Sequence, residues 1–302
     1  MVTTSEDWSA RDRTVLVTGG TGGIGFQTAR VLARWGAHVL ITGRDAASGQ
    51  RAAKAICHEA GQELVSFLPA DHATVGGNQR VAEEVRAAVS GLDVLVNNVG
   101  GLYQSRRETT DGYEATLAMN FVGPFALTSQ LLPLLQARAP ARCINVVSAA
   151  FKTVKGDPLA DPQSAQRFVS AEVYSRTKLL NMLASLALAQ QLPAEQVTVN
   201  LVHPGLAWTP MTQSMTAQTM PAFRAIWPLV RAVQRRQSPE KAGQRVATLV
   251  ASSVAGTTTG HYFEAGLSPR RLSARGLDPQ RQQQAWQLGE QLVAQAPTRN
   301  IS

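Results

Sequence analysis

Short apolar runs recur along the chain, separated by longer segments of mixed polarity. The runs are Val15-Leu16-Val17, Val39-Leu40-Ile41, Leu64 to Leu68, Val94-Leu95-Val96, Ile144-Asn145-Val146-Val147 and Val197 to Val202. They are too short for helices, and their near-continuous apolar character is that of strands buried on both faces. Between them lie segments with helical spacing, such as Ile24 to Trp35, where Ile24, Thr28, Val31 and Trp35 share one side. Strands and helices in alternation predict an α/β fold, a doubly wound parallel sheet of about seven strands with helices on both faces. A late strand is expected near His261-Tyr262-Phe263. The Gln-rich stretch Gln280 to Gln284 runs into Trp286 and Val293 at heptad spacing and predicts a C-terminal helix. No linker or composition shift divides the 302 residues, so one domain over 1–302 is expected.

The formal net charge of +8 suits an acidic partner. The positive residues are nearly all Arg and are scattered, with no basic run interleaved with aromatics. That disfavours nucleic acid and leaves a phosphorylated small molecule as the simpler acidic partner. Cys57 and Cys143 are the only cysteines and lie in apolar or helical surroundings, so neither a disulfide framework nor a zinc site is expected, and a reducing cytoplasm fits. The segment Met1 to Arg13 is polar, and no apolar stretch of about 18 residues follows, so no transmembrane segment is expected. The preference for Arg and Ala over Lys points to a high-GC bacterial genome.

Directly after the first strand comes Thr18-Gly19-Gly20-Thr21-Gly22-Gly23-Ile24-Gly25, opening the first helix. Glycines there allow a tight turn and close approach to a pyrophosphate, while the helix N-terminus offers unpaired amides. The second strand ends Ile41-Thr42-Gly43-Arg44, where an NAD-binding chain would carry an acidic residue for the ribose 2′-hydroxyl. Arg44 instead suits a 2′-phosphate and predicts NADP(H), a solvated loop arginine before Asp45 being the plainer alternative.

Tyr174 and Lys178 stand four residues apart, so a helix places phenol and ammonium on one face. A phenol, with its ordinary pKa of ~10, ionises more easily beside a fixed cation and can then exchange protons with a substrate oxygen. Alone, such a pair is more often surface packing.

Together these residues resemble the short-chain dehydrogenase/reductase superfamily, over almost the whole chain. The marks are the glycine turn Thr18 to Gly25, Asn97-Asn98-Val99-Gly100 after the fourth strand, Asn120 in a helix, Ser148 after the fifth strand, Tyr174 with Lys178, and Pro204-Gly205 followed by Thr209. The resemblance implies a single-domain Rossmann fold. It implies that Gly19, Thr21, Gly22, Gly23, Ile24 and Gly25 hold the cofactor with Arg44, that Asp71 contacts the adenine, and that Asn98 and Gly100 line the adenosine ribose. Pro204, Gly205 and Thr209 would reach the cofactor from beyond the sixth strand. Tyr174 would be the general acid in reduction, and Lys178 would bind the nicotinamide ribose and lower the Tyr174 pKa. Ser148 would hydrogen-bond the substrate carbonyl, and Asn120 would hold a water in a proton relay. Read without the resemblance, Asn120 is equally a capped or bent helix position and Ser148 a strand-end turn residue.

Val99 stands where the family usually has a small Ala, Thr177 where a Ser commonly precedes the Lys, and Ser148 and Tyr174 are 26 positions apart, about twice the common gap. That gap, with His203-Pro204-Gly205, Ser238-Pro239-Glu240 and Gly260-His261-Tyr262-Phe263, looks like the retinol-dehydrogenase-like and WW-domain-oxidoreductase-like branch. The extended loop 149–173 is expected to project irregularly beside the catalytic helix, favouring a monomer or homodimer over a tetramer.

Segment 206–236 is rich in Trp208, Met211, Met215, Met220, Phe223, Trp227 and Pro228, which suits a lid over a large, flat or lipid-like molecule; ordinary core is the alternative. Arg224, Arg231, Arg235 and Arg236 could face solvent, a membrane surface or an acidic group on the substrate. His38, His58, His72 and His261 have no partner at metal-ligand spacing. The expected function is an NADPH-dependent carbonyl reductase or alcohol dehydrogenase for a bulky hydrophobic ketone, aldehyde or secondary alcohol, with a ketoreductase of bacterial secondary metabolism as one form. A retinal-, steroid- or lipid-type oxidoreductase is the rival of the same class, and a non-catalytic nucleotide-sensing or scaffold protein the rival of another.

Overall fold

The apolar runs become the strands of one sheet. A computed structural model describes residues 8–219, 225–264, 268–270, 272 and 276–297. Its strands are β1 (Thr14–Val17), β2 (His38–Gly43), β3 (Val65–Pro69), β4 (Val94–Asn97), β5 (Ala141–Val146), β6 (Val197–His203), β7 (Tyr262–Glu264) and β8 (Pro269–Arg270). They lie in the order β3-β2-β1-β4-β5-β6-β7-β8, all parallel except the last pair. The sheet thus has eight strands, one more than the apolar runs predict. Antiparallel β8 is two exposed residues including a proline, which lacks an N–H and is tolerated only at an edge, so no apolar run announces it.

Alternate residues of each strand face opposite layers. Val15, Val17, Val39 and Ile41 pack in one cluster with α1 (Gly23–Arg34), α2 (Ala46–Ala60) and α9 (Pro239–Ala251). Leu16, Leu40 and Leu95 pack in another with α3 (Val75–Ala88), α5 (Gly123–Gln136) and α6 (Ser170–Gln191). Most of α6 is buried all round, because the C-terminal helix α11 (Pro279–Gln295) covers its outer side. Gln190 meets Gln282 at 2.7 Å, and Trp286 lies 4.7 Å from Phe125, centroid to centroid.

A short helix α4 (Ala115–Leu117) runs through a π-helical turn, Ala118–Val122, into α5. The buried Glu114 carboxylate caps it, accepting from Thr116 N at 2.8 Å and Leu117 N at 2.7 Å. By length and composition the helical run Ala115–Gln136 is long and apolar enough to cross a membrane, its most apolar window having a mean hydropathy of 1.2, which the expectation of no such stretch passed over. Its most apolar window is 67% buried inside the fold, as in the core helix of a layered protein.

The long loop folds down rather than projecting. Ala149–Thr153 forms a 3₁₀ turn whose buried Phe151 meets Tyr262 edge-on at 5.3 Å. Beyond it, Arg176 on α6 donates to the Asp161 carbonyl and to Ser164 Oγ, Glu114 N donates to Gln163 Oε1, and Asp157 faces Arg281 on α11. The loop thus packs on the first turns of α6, and α11 covers the helix further along.

After β6 the chain makes an excursion carrying α7 (Pro210–Ser214) and α8 (Trp227–Arg235). Its ends are tied by Trp208 N donating to Gln237 O at 2.8 Å. Met220, Phe223 and Arg224 lie outside the described residues.

Candidate active site

The strand order reverses between β1 and β4, which opens a crevice at their carboxyl ends. The glycine turn fills its floor. Gly19 and Gly23 have φ of +66° and +55°, and a β-carbon on Gly25 would stand 2.4 Å from the Gly19 carbonyl oxygen. Those positions demand glycine for the turn itself. Gly22 differs: a β-carbon there would meet nothing within 4 Å, so its bareness leaves open space at the start of α1. Gly22 is the N-cap of α1, with no side-chain cap and no acidic residue in the first turn, whereas α2, α3, α9 and α11 are capped by Asp45, Thr74, Ser238 and Asp278. Free amides and a bare approach are what an anion needs.

The turn is held from β4. Thr18 Oγ1 accepts from Asn98 N at 2.9 Å and Val99 N at 3.0 Å, and Asn98 Nδ2 donates to the Thr18 carbonyl at 2.8 Å. The Asn98 amide nitrogen is thus committed to scaffolding at the place where the resemblance puts the ribose. Val99 is accommodated because a β-carbon on Gly19 would lie 3.0 Å from its Cγ2.

At the other end of β2, a β-carbon on Gly43 would strike Thr21 Cγ2 at 2.5 Å, so the glycine turn abuts the strand end that carries Arg44. Arg44 is exposed and has no hydrogen bond or ion pair among the described residues. Asp45 makes no ion pair with it: that carboxylate turns to Ser48, whose hydroxyl and backbone N, the latter donating at 2.7 Å, hold its pKa below the usual value. Asp71 is exposed at the end of β3, one carboxylate oxygen accepting from Ala73 N at 3.1 Å.

Tyr174 and Lys178 lie in the first half of α6, both buried. Lys178 Nζ donates to the Val146 carbonyl at 3.2 Å, at the end of β5 and two residues before Ser148. A β-carbon on Gly100 would sit 2.8 Å from Lys178 Nζ and 3.2 Å from Asn120 Oδ1, so these three groups converge. Ser148 caps the 3₁₀ turn by accepting from Ala150 N at 3.2 Å, and its hydroxyl is near enough to the Tyr174 phenol to draw that group's pKa down. Thr153 Oγ1 bonds Ser175 Oγ at 3.2 Å, pinning that turn to the catalytic helix beside the phenol. Pro204, Gly205 and Thr209 stand on the far side, after β6. The Pro204 carbonyl accepts from Arg245 at 2.9 Å, and Gly205, with φ of +96°, leaves room for that guanidinium. Thr209 is the N-cap of α7.

Residues 13–220 match the family model for the short chain dehydrogenase. The chain belongs to the short-chain dehydrogenase family. Its relatives include retinol dehydrogenase 12 of Mus musculus, 36% identical over 202 residues that make up 67% of this chain and 64% of that one, slightly under two thirds of the relative's length. The WW domain-containing oxidoreductase of Danio rerio is 32% identical over 95% of this chain and 70% of its own. Among solved structures, the Pseudomonas aeruginosa RhlG/NADP active-site complex superposes with a TM-score of 0.68 and 29% identity, covering 87% of this chain and 98% of that one.

In this short-chain dehydrogenase one expectation about the site needs correction. The Tyr174 pKa is raised rather than lowered: burial pushes it up and outweighs the opposing effect of the Ser148 hydroxyl. Burial also pushes Lys178 down to about 8, since a site closed to water disfavours both charged forms. The Asn120 side chain is bonded through both its oxygen and its nitrogen. Its Nδ2 donates to the Gly101 carbonyl at 2.9 Å and Thr177 Oγ1 at 3.0 Å, while its Oδ1 accepts from Gly101 N at 2.8 Å. Asn120 clamps the loop after β4 to α6, and its backbone carbonyl, within the π-turn, accepts from Asn181 Nδ2 at 3.0 Å.

Three participants escape sequence reasoning. Asn181 follows Lys178 by three positions and reads as an interior helix polar residue. Arg245 and Gly205 meet only in three dimensions. His72, buried, joins Thr42 Oγ1 at 2.6 Å and Asn78 Oδ1 at 2.7 Å, and Thr42 Oγ1 in turn accepts from Gly19 N at 3.2 Å. The hydroxyl that accepts from Gly19 donates to Nε2, leaving Nδ1–H for Asn78. That is a neutral imidazole, in agreement with the downward push of burial on its pKa.

Proposed function

We propose that this protein is an NADP(H)-dependent oxidoreductase that interconverts a bulky apolar alcohol and its aldehyde or ketone, of the retinal- or lipid-alcohol kind. The observation that carries the reaction class is the convergence of Ser148, Tyr174 and Lys178 at the mouth of a crevice floored by an uncapped helix N-terminus. The names of the relatives, retinol dehydrogenase and an NADP complex, support the choice of substrate and cofactor.

The residues fit the cofactor. Gly22, Gly23 and the first turn of α1 would take the pyrophosphate, unpartnered Arg44 the 2′-phosphate, and Lys178 the nicotinamide ribose. The bound nicotinamide supplies or accepts the hydride. Everything else falls to the chain. Ser148 donates to the substrate oxygen and fixes its position. Tyr174, kept protonated by burial, gives that oxygen its proton in reduction and takes it back in oxidation. Lys178, charged below about pH 8, favours the phenolate left behind. Burial of Tyr174 and Lys178 keeps water from the exchange.

The test is an NADPH-oxidation screen over all-trans-retinal, long-chain aldehydes, steroid ketones and β-keto esters, repeated with Tyr174→Phe. Turnover is expected with retinal or long-chain aldehydes and should collapse in Tyr174→Phe with NADPH affinity nearly unchanged. Turnover confined to β-keto esters would move the assignment to a ketoreductase, and no turnover despite tight NADPH binding would favour a nucleotide-sensing scaffold.

A further inference from the structure

Helix α8 is turned the wrong way for a helix that belongs to the core. Gln234, buried, and Arg231, half-buried, face the protein, with Arg231 donating to the Thr212 carbonyl at 3.0 Å and stacking 4.6 Å from the Trp208 ring. Ile226, Leu229 and Val233 are 51%, 63% and 44% exposed, and their spacing puts them on one outward stripe. Arg236, exposed, continues that stripe at its C-terminal end, whereas Arg235, one turn beyond Arg231, lies on the other side of the helix and stacks 5.9 Å from the Trp208 ring. Leu206, 55% exposed, lies near the start of the same excursion, so four of the large exposed apolar side chains among the described residues belong to this one segment.

Charge narrows what can cover the stripe. Between Glu195 and Glu240 the sequence holds no Asp or Glu, while Arg224, Arg231, Arg235 and Arg236 all fall in that interval. A helix of this length is only about 14 Å long and cannot supply the ~1,600 Å² of a standard protein interface by itself. A short apolar stripe ending in an arginine, in a segment free of carboxylates, matches instead the boundary between acyl chains and anionic headgroups.

We propose that α8 is a membrane-docking surface, through which the protein rests reversibly on an anionic bilayer with Ile226, Leu229 and Val233 in the acyl boundary and Arg236 among the headgroups. The tie between Trp208 and Gln237 makes the docked excursion part of the same body as β6 and α9, so the crevice mouth is held at the lipid surface. This surface does not depend on which substrate the site accepts, and its test reads no turnover.

The full-length protein is sedimented with sucrose-loaded vesicles of phosphatidylcholine alone and of phosphatidylcholine with phosphatidylserine. Binding is expected to the anionic vesicles, to weaken as salt is raised, and to fall more than tenfold in Leu229→Glu and in Val233→Gln. Arg236→Gln should weaken it about fivefold. Failure of the unmodified protein to sediment with anionic vesicles, or equal binding by the Leu229 and Val233 variants, would overturn the proposal. So would light scattering showing a dimer that Leu229→Glu dissociates, since a second copy would then be the occupant.

Discussion

Lys178 Nζ lies 2.8 Å from where a β-carbon on Gly100 would stand. The clash from Gly100→Ala falls on the far end of a flexible side chain, which can move at little cost to the fold. Thermal stability should therefore change little, while kcat/KM drops at least tenfold because the ammonium leaves the Tyr174 side of the crevice. Steady-state kinetics beside a melting curve separates the two; unchanged kinetics would mean the Lys178 position is not critical.

The buried Lys178 also leaves a mark on stability. Its pKa is about 8 in the fold against an ordinary 10.5, so between those values the unfolded chain binds more protons. The penalty for burying the charge is fully present below about pH 8 and fades as pH rises towards 10.5. Urea unfolding of the protein and of Lys178→Met should show the native chain gaining on the variant across that window, by up to a few kcal/mol. Turnover should run the other way and fall above about pH 8, as the ammonium loses its charge.

Arg44→Ala removes a cation that holds nothing else in the described structure. NADPH affinity should weaken by ~1.5–3 kcal/mol with NADH affinity and stability unchanged. Fluorescence titration of both cofactors decides it, and equal Kd values for NADH and NADPH in the unmodified protein would end the argument for a 2′-phosphate site.

His72→Leu keeps volume but strands Thr42 and Asn78. Each buried group left without its partner costs about 1–3 kcal/mol, so the variant should melt several degrees lower. Because Thr42 is also the partner of Gly19 N, NADPH binding should weaken too. The imidazole is neutral in the fold with its pKa pushed below 6.5, so below pH 6.5 the unfolded chain takes up the proton first. Stability should accordingly fall with acidification in the native chain and fall less steeply in His72→Leu.

Because α11 lies over α6, the helix face on which a partner subunit could pack is already covered. Light scattering at micromolar concentration should return a monomer or a dimer. A tetramer mass would require an interface elsewhere on the surface.

Much of this was readable from the chain because it rests on local physics. Parallel strands covered on both faces must be apolar throughout, so Val15 to Val17 and Val94 to Val96 declare themselves, and the glycines at positive φ cannot be replaced without strain. The Tyr174 and Lys178 pair follows from helical spacing alone. What stayed hidden depends on elements distant in sequence. No local signal says that α11 will cover α6, that Arg245 will reach the Pro204 carbonyl, or that burial will dominate the titration of Tyr174. The long loop misled because its Pro and Gly residues show irregularity, whereas the anchors Arg176 and Glu114 lie outside it.

The π-turn Ala118–Val122 sets a constraint of another kind. A π-turn holds one residue more than the α-helix it interrupts, and each residue turns an α-helix by about 100°. Deleting any one residue from that turn would restore regular winding and swing Asn120, or everything preceding it, off the face that meets Gly101 and Asn181. Along this stretch it is the number of residues, more than their identities, that evolution or an engineer is obliged to keep.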